Sequence, residues 1–307
     1  MSVSPLISVL VANYNNGCYI TETLNSVVAQ TYDNIEIVIL DDCSSDNSLQ
    51  IITCYQQQYP QLNLLLRQND TNHGVGYTKH RLIELSHGDY FIFLDPDDTI
   101  TPDCLQTLFN AHLRGEYSIT YATHWLCNEQ LQPHRLSDWA GEIPIGETHF
   151  TAAHGHISAP ALCKRAIYNQ TDGINSNLLV AEDQDLYVKM EEIAPVLFVN
   201  QPLYYYRGHD HNMSRNDAHR LLNLQEQHKY IEDNFLRRKK QHPEVPNLTT
   251  RQLMQHRMHY HLSLSRYFFQ QKQHTKAVRQ YLLACRYCLF DNKLQLIKTL
   301  IKNANKD

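Results

Sequence analysis

The chain has 307 residues, 42% of them apolar, a formal net charge of −5 and eight cysteines. That is long enough to bury a substantial core, as one large domain or as a principal domain with an appendage. No apolar run approaches the ~18 to 20 residues that cross a bilayer, and the N-terminus lacks the basic-then-apolar pattern of a secretion signal, so a cytosolic location is expected.

The cysteines are scattered, without the paired spacing beside histidines of a structural zinc site, and reduced thiols are expected. Cys285 and Cys288 form a CxxC, but it falls in LLACRYCLF, an amphipathic helical stretch where a redox role is disfavoured. The charge is unevenly spread. Residues 1–210 hold 9 Lys+Arg against 25 Asp+Glu, a net −16, whereas residues 211–307 hold 18 against 7, a net +11. Such polarity predicts two segments with different tasks, the basic one facing an anionic membrane surface, an acidic partner or the acidic segment itself, unless it is only a solvated helical face. Nucleic acid is the poorer partner, because the basic residues form no recognisable binding module.

In chain order, Ile7 to Ala12 (ISVLVA) reads as a strand that stops at the turn residues Asn13 to Gly17 (NYNNG). Leu24, Val27 and Val28 recur at helical spacing from Thr21 to Thr31, with Thr21 as N-cap. Ile35 to Leu40 (IEIVIL) is a second strand, ending at Asp41-Asp42, and Ser44, Ser45 and Asp46 offer caps for a helix to about Tyr59. Leu62 to Leu66 gives a third strand, Asn72 to Gly76 a turn, and Thr78 to Leu85 a helix. Phe91 to Ile100 (FIFLDPDDTI) is the central stretch: four apolar residues predict a strand buried on both faces, and it runs directly into Asp95, Asp97 and Asp98. Three adjoining carboxylates repel one another, so such a site holds a cation, shifts its pKa values or faces open solvent.

Strands alternating with helices predict an α/β fold with a mainly parallel sheet covered on both faces, and in such sheets ligands sit beyond the carboxyl ends of the strands. Asn13 to Asn16, Asp41-Asp42 and Asp95 to Asp98 would gather along that edge. NYNNG stands where a dinucleotide fold needs GxGxxG, so NAD is disfavoured. A helix runs to about Leu113, Tyr117 to Cys127 reads as a strand, and residues 128–156 are polar and unassigned. Ser158 to Ile167 resembles a short strand and turn. A helix opens on Glu182, Asp183 and Asp185, acids that also suit ordinary dipole compensation. Val196 to Asn200 and Leu203 to Arg207 follow as short strands. From about Arg215 only helical periodicity remains, broken at Pro243 to Pro246. Met254 to Gln270 and His274 to Leu289 read as a helical hairpin, and AVRQYLLACRY resembles a tetratricopeptide helix, although one hairpin is no repeat array.

Five ordered stretches resemble the inverting family 2 glycosyltransferases of GT-A fold: VLVANYN, SVVAQTYDNIEIVILDDCSSDNS, NHGVGYTKHRLIELSHGDYFIFLDPDD, AEDQDL and YYRGHDHNMS. The match runs over about the first 215 residues, which gives a transferase domain over 1–215, with its nucleotide-sugar half at about 1–100 and its acceptor half at 101–215. A basic helical region over 216–307 completes the chain. The resemblance implies that Tyr14 stacks on the nucleobase, Asp42 hydrogen-bonds its imide edge, and Asp95 holds the ribose or helps orient metal. It further implies Asp97 as the direct metal ligand, His209 as a completing ligand with His211 as a competitor, and Asp183 as catalytic base. Where many members have Ala-Arg-Asn after the Asn-x-Gly turn, this chain has Thr78-Lys79-His80, so the basic role passes to Lys79 or Arg81. Glu182 is a candidate for binding acceptor hydroxyls; Asp185 is read as a helix-capping acid.

These types suit the chemistry. Sugar transfer expels a diphosphate whose developing charge a hard divalent cation, Mn2+ or Mg2+, stabilises through one or two protein carboxylates, with a nitrogen ligand favouring Mn2+. An acceptor hydroxyl needs a positioned carboxylate to take its proton, worth roughly 10²- to 10⁴-fold in rate. The expected function is a metal-dependent transfer from a nucleotide sugar, a UDP-sugar favoured, to a glycan or lipid-linked saccharide in surface polysaccharide synthesis. The alternatives are a nucleotidyltransferase, disfavoured because NYNNG lacks a Gly-rich basic phosphate loop, and an inert nucleotide-sugar-binding interaction protein.

Overall fold

Alternation along the first strands explains why both faces of the sheet are covered. In β1 (Ile7–Asn13) the side chains of Ile7, Val9 and Val11 enter one core and Leu10 the other; β2 (Ile35–Asp41) sends Ile37 and Ile39 one way and Val38 and Leu40 the other. The same holds for β4 (Tyr90–Phe93), where Ile92 and Phe91 point to opposite cores. Helices α1 (Ile20–Val28), α2 (Ser48–Gln58) and α4 (Cys104–His112) cover the first face, through Leu24, Ile52 and Leu108 among others. The second face is covered by α3 (Val75–Leu85) and α6 (Glu182–Glu191), through Leu82, Ile83, Leu186 and Met190.

The computed structural model describes residues 4–152, 156–209 and 220–288. Its contacts divide the chain into two compact units, residues 1–210 and 211–307. In the first, nine strands form one sheet in the order β3-β2-β1-β4-β8-β6-β9-β5, with β7 paired to β6. The remaining strands are β3 (Leu64–Gln68), β5 (Thr99–Ile100), β6 (Ile119–Cys127), β7 (Pro133–Leu136), β8 (Ala161–Lys164) and β9 (Val196–Arg207), and the short α5 spans Arg165–Tyr168. The pairs β3-β2-β1-β4 are parallel, β8 is antiparallel to both β4 and β6, and β9 runs parallel to β6. The parallel half thus carries the strand ends that bear Asn13, Asp41 and Asp42.

Several local expectations shift. Helix α1 begins at Ile20 with Tyr19, not Thr21, at its N-cap, because the carbonyl of Asn16 already accepts from the amides of Tyr19 and Ile20. Helix α2 is capped at Asn47 because Ser44 and Asp46 are engaged in joining two loops. Strand β3 starts at Leu64, Leu62 being turned back onto Tyr59. The two short strands expected near the end of the unit are one, β9; the residues between them are absorbed as register shifts against β6 around Thr123.

The second unit contains α7 (Arg220–Gln241), α8 (Thr250–Gln270) and α9 (His274–Arg286). A capping box of Thr249 and Gln252 opens α8. The α8–α9 hairpin packs through Met258, Leu262 and Ala284. Some of the basic charge is consumed internally: Arg238 is fully buried and donates to the carbonyl of Pro246 at 2.8 Å, and Arg257 grips Glu232 with two bonds of 2.6 and 2.5 Å. Cys285 is exposed and Cys288 half-buried, both as free thiols. Leu289, the expected hairpin end, and His211 lie outside the described residues.

Candidate active site

The loops after β1 and β2 are knitted together. Asp41, fully buried, accepts from Nδ2 of Asn13 at 2.7 Å and from the Ser44 hydroxyl and amide at 2.6 and 2.9 Å. Oδ1 of Asn15, whose backbone is left-handed at φ 55°, accepts from the amides of Ser45 and Asp46. These bonds fix the loop between them, and Tyr14 stands out of it with 46% of its surface exposed. Asp42 is directed elsewhere. Its Oδ1 accepts from Asn69 Nδ2 at 2.7 Å and the His73 amide at 3.0 Å, and its Oδ2 accepts from the Gly74 amide at 2.8 Å. Gly74 is the N-cap of α3, so the carboxylate lies where the helix dipole favours an anion.

Beyond β4 the chain turns through Asp95 to Asp98, with the Asp98 amide donating to the Asp95 carbonyl and the Thr23 hydroxyl of α1 donating to the Pro96 carbonyl. Burial, together with Asp97 and Glu182 nearby, raises the Asp95 carboxyl above its ordinary value against the pull of Lys79. Asp98 is buried and accepts from the Tyr204 hydroxyl and the Arg207 amide, both at 2.6 Å; its pKa is raised well above the ordinary value by burial and by Asp97 and Asp95. Pairing of β5 with β9 brings Arg207 and His209 to this turn. Arg207 Nε donates to the Asp97 carbonyl at 2.6 Å and its NH2 group to Glu22 at 2.7 Å. His209 Nε2 lies 2.8 Å from Asp97 Oδ2, and the imidazole stacks on Tyr19 at 4.9 Å between centroids.

The third component is the junction of α3 and α6. Lys79 Nζ, on α3, donates to Glu182 Oε1 at 2.6 Å with both side chains almost wholly buried. Burial opposes the ammonium's charge, but the fields of Glu182, Asp95 and Asp183 more than offset it and the Lys79 pKa is raised. Asp183 follows Glu182 on the first turn of α6, its Oδ1 accepting from the Gln184 amide at 2.7 Å. Ala181, the residue before, is left-handed at φ 64°, a conformation that costs a non-glycine residue about 1–2 kcal/mol. Asp185 is not a capping acid: its Oδ2 accepts from Lys189 Nζ at 2.6 Å and the Asn175 amide at 3.2 Å, tying the preceding loop to the helix.

Asp95, Lys79, Glu182 and Asp183 therefore share one electrostatic neighbourhood, with Asp97 and His209 adjoining Asp95. Tyr14 and Asp42 stand at the neighbouring strand ends. Arg81, the alternative to Lys79, is turned outward onto Glu84. Sequence reasoning missed Tyr19, Arg207 and the Asp98–Tyr204 bond. The Arg of YYRGHDH was the only available signal among these. Among the described residues no group of three or more His, Cys, Asp and Glu side chains is arranged to enclose a metal ion by itself.

The profile of the family described as Glycosyl transferase family 2 matches residues 8–169, a span that ends before Glu182, Asp183 and His209. Chondroitin synthase of Escherichia coli is 26% identical over 210 residues, covering 68% of this chain but only 30% of its own length. Two solved structures share the architecture, which is of the GT-A type. S. aureus TarS 1-349 in complex with UDP-GlcNAc is 18% identical with a TM-score of 0.59 and covers 92% of this chain and 91% of its own. The mannosyltransferase PcManGT of Pyrobaculum calidifontis, in complex with GDP-Man and Mn2+, is 13% identical with a TM-score of 0.59 and covers 98% and 81%. At these identities the likeness establishes the fold alone.

Proposed function

The chain belongs to glycosyltransferase family 2, and from that premise we propose that it moves a sugar from a UDP-sugar to a hydroxyl of a glycan or lipid-linked saccharide, with inversion at the anomeric carbon. Residues 1–215 form the transferase domain in this reading and 216–307 a helical appendage. What supports it most is the convergence around Lys79 of the strand-end acid Asp95 and the helix-start acids Glu182 and Asp183, beside Asp97. A donor half and an acceptor half meet there.

Tyr14, exposed at the strand edge, supplies a ring face for the nucleobase. Asp42 Oδ2 carries one hydrogen bond in the fold and retains acceptor capacity for the N–H of a uracil imide. Asp95 is assigned to the ribose or to orienting metal. Asp97 and His209 fit a divalent cation as donor types: one carboxylate oxygen and one imidazole nitrogen, with the other positions left to diphosphate and water. When bound, such an ion neutralises charge on the departing diphosphate. Asp183 takes the proton of the acceptor hydroxyl as that oxygen bonds to the anomeric carbon, and the carbon's bond to the diphosphate oxygen breaks with its electron pair leaving on UDP. The TarS structure holds UDP-GlcNAc and the Pyrobaculum structure GDP-Man with Mn2+, and both support a nucleotide-sugar donor.

Calorimetry of UDP with and without Mn2+ tests the reading. Mn2+-strengthened UDP binding is expected, and no binding in either condition would remove its basis. A membrane-surface role for the basic appendage is part of the proposal, because exposed Lys239 and Lys240 close the last turn of α7 and no described helix is long and apolar enough to cross a bilayer. Salt-sensitive co-sedimentation with phosphatidylserine vesicles, weakened by Lys239→Glu/Lys240→Glu, is expected; cosedimentation indifferent to both salt and the substitutions contradicts it.

A further inference from the structure

The contact between α3 and the approach to α6 is built at two points on one face of α3. A Cβ added at Gly76 would come within 2.2 Å of the Leu178 carbonyl oxygen and 3.0 Å of that of Asn175, so the segment leading to α6 rests directly on the first turn of α3. Three residues on, and therefore on the same face, Lys79 reaches Glu182, the first residue of α6. The start of α3 is held in turn by Asp42 through the His73 and Gly74 amides. One helix thus spans from the acid assigned to the nucleobase to the acids that open α6.

Lys79 is enclosed on this path. It is 7% exposed and Glu182 6%, and the ammonium also lies 5.2 Å over the Phe93 ring, so its donors are directed into the junction. An acid engaged by a buried ammonium at 2.6 Å is a poor ligand for an incoming hydroxyl, and a lysine so engaged is a poor ligand for a diphosphate. We propose that Lys79 is the positioning residue for Glu182 and Asp183: its bond to Glu182 anchors the first turn of α6 against α3 and so sets where the Asp183 carboxylate stands. The inference rests on the proposed function for the role of Asp183. It also explains how Ala181 is kept left-handed, since the residues on both sides of it are anchored to α3.

The test uses the full chain with Lys79→Met and Lys79→Arg, hydrogen exchange of amides 182–187, and calorimetry of UDP with Mn2+. Lys79→Met is expected to speed exchange in that turn by about tenfold or more while UDP affinity stays within about threefold, and Lys79→Arg to restore most of the protection. With whichever nucleotide sugar turns over, kcat falls and donor KM holds. Unchanged α6 exchange with a tenfold or greater loss of UDP affinity would make Lys79 a diphosphate ligand and overturn the inference. Should Lys79→Met not fold, Glu182→Gln keeps the shape and must loosen the same turn; normal exchange in it is equally fatal. A wild-type chain that binds no UDP would sink the proposed function only, leaving the exchange comparison to decide the anchoring role.

Discussion

His209 Nε2 and Asp97 Oδ2 lie 2.8 Å apart across 112 residues of sequence. The contact exists because β5, directly after the acidic turn, pairs antiparallel with β9, which ends at Arg207. Arg207 reinforces it by donating to the Asp97 carbonyl and to Glu22 of α1. His209→Ala is therefore expected to reduce the Mn2+-supported gain in UDP affinity by about tenfold or more, measured by titrating UDP at several Mn2+ concentrations. An unaltered Mn2+ dependence would take the imidazole out of the donor set.

Gly76 has no room for a side chain, the Leu178 carbonyl oxygen standing 2.2 Å from where a Cβ would be. Gly76→Ala must push the 175–178 segment outward or distort α3, at a cost of about 1–3 kcal/mol. Thermal unfolding monitors the cost, and sugar-transfer activity is expected to fall with it because that segment leads into α6. A substitution neutral in both would show that the two elements separate freely.

Glu36 supplies a pH-dependent share of the stability, away from the candidate site. Buried in β2, it accepts from the Ser8 hydroxyl at 2.6 Å and the amides of His87 and Gly88 at 2.5 and 3.0 Å. Burial alone would raise its pKa, but these bonds outweigh it and the net value falls below the ordinary 4.5. A depressed folded-state pKa means stability that is fully present above about 4.5 and lost as pH falls through the folded value. Glu36→Ala strands three donors and is expected to cost about 2–4 kcal/mol at pH 7. Chemical unfolding at pH 7 and pH 3 checks the sign: the gap between wild type and variant narrows in acid, and a gap that widens contradicts the assignment.

The parallel half of the sheet was legible because ISVLVA, IEIVIL and FIFL are β-branched or aromatic runs bounded by turn residues, and strand ends in such sheets share an edge. Position along that edge followed from topology alone. Strand β7, Pro133 to Leu136, was not legible: all four residues are exposed and pair along one edge only, so no apolar alternation marks them. Strand β9 read as two because Asn200, Gln201 and Pro202 resemble a break, whereas β6 accommodates them with a register shift. Inside the site, Asp185 looked like a cap because acids crowd the first turn of α6; only the folded loop shows it bound to Asn175 and Lys189. The burial of Lys79 against Glu182 is likewise tertiary, since nothing in THKHRL-like helical spacing around residues 78–82 distinguishes an inward lysine from a solvated one.

The central claim is that Asp183 and Asp97 serve one reaction from opposite sides of the transferred sugar. It is tested most directly by turnover of a panel of nucleotide sugars with Mn2+, read as released nucleoside diphosphate and transferred sugar, in wild type, Asp97→Ala and Asp183→Ala. The account predicts that Asp183→Ala loses roughly 10²- to 10⁴-fold in transfer while still binding UDP, and that Asp97→Ala loses transfer together with Mn2+-dependent UDP binding. Wild-type turnover in both variants would contradict it.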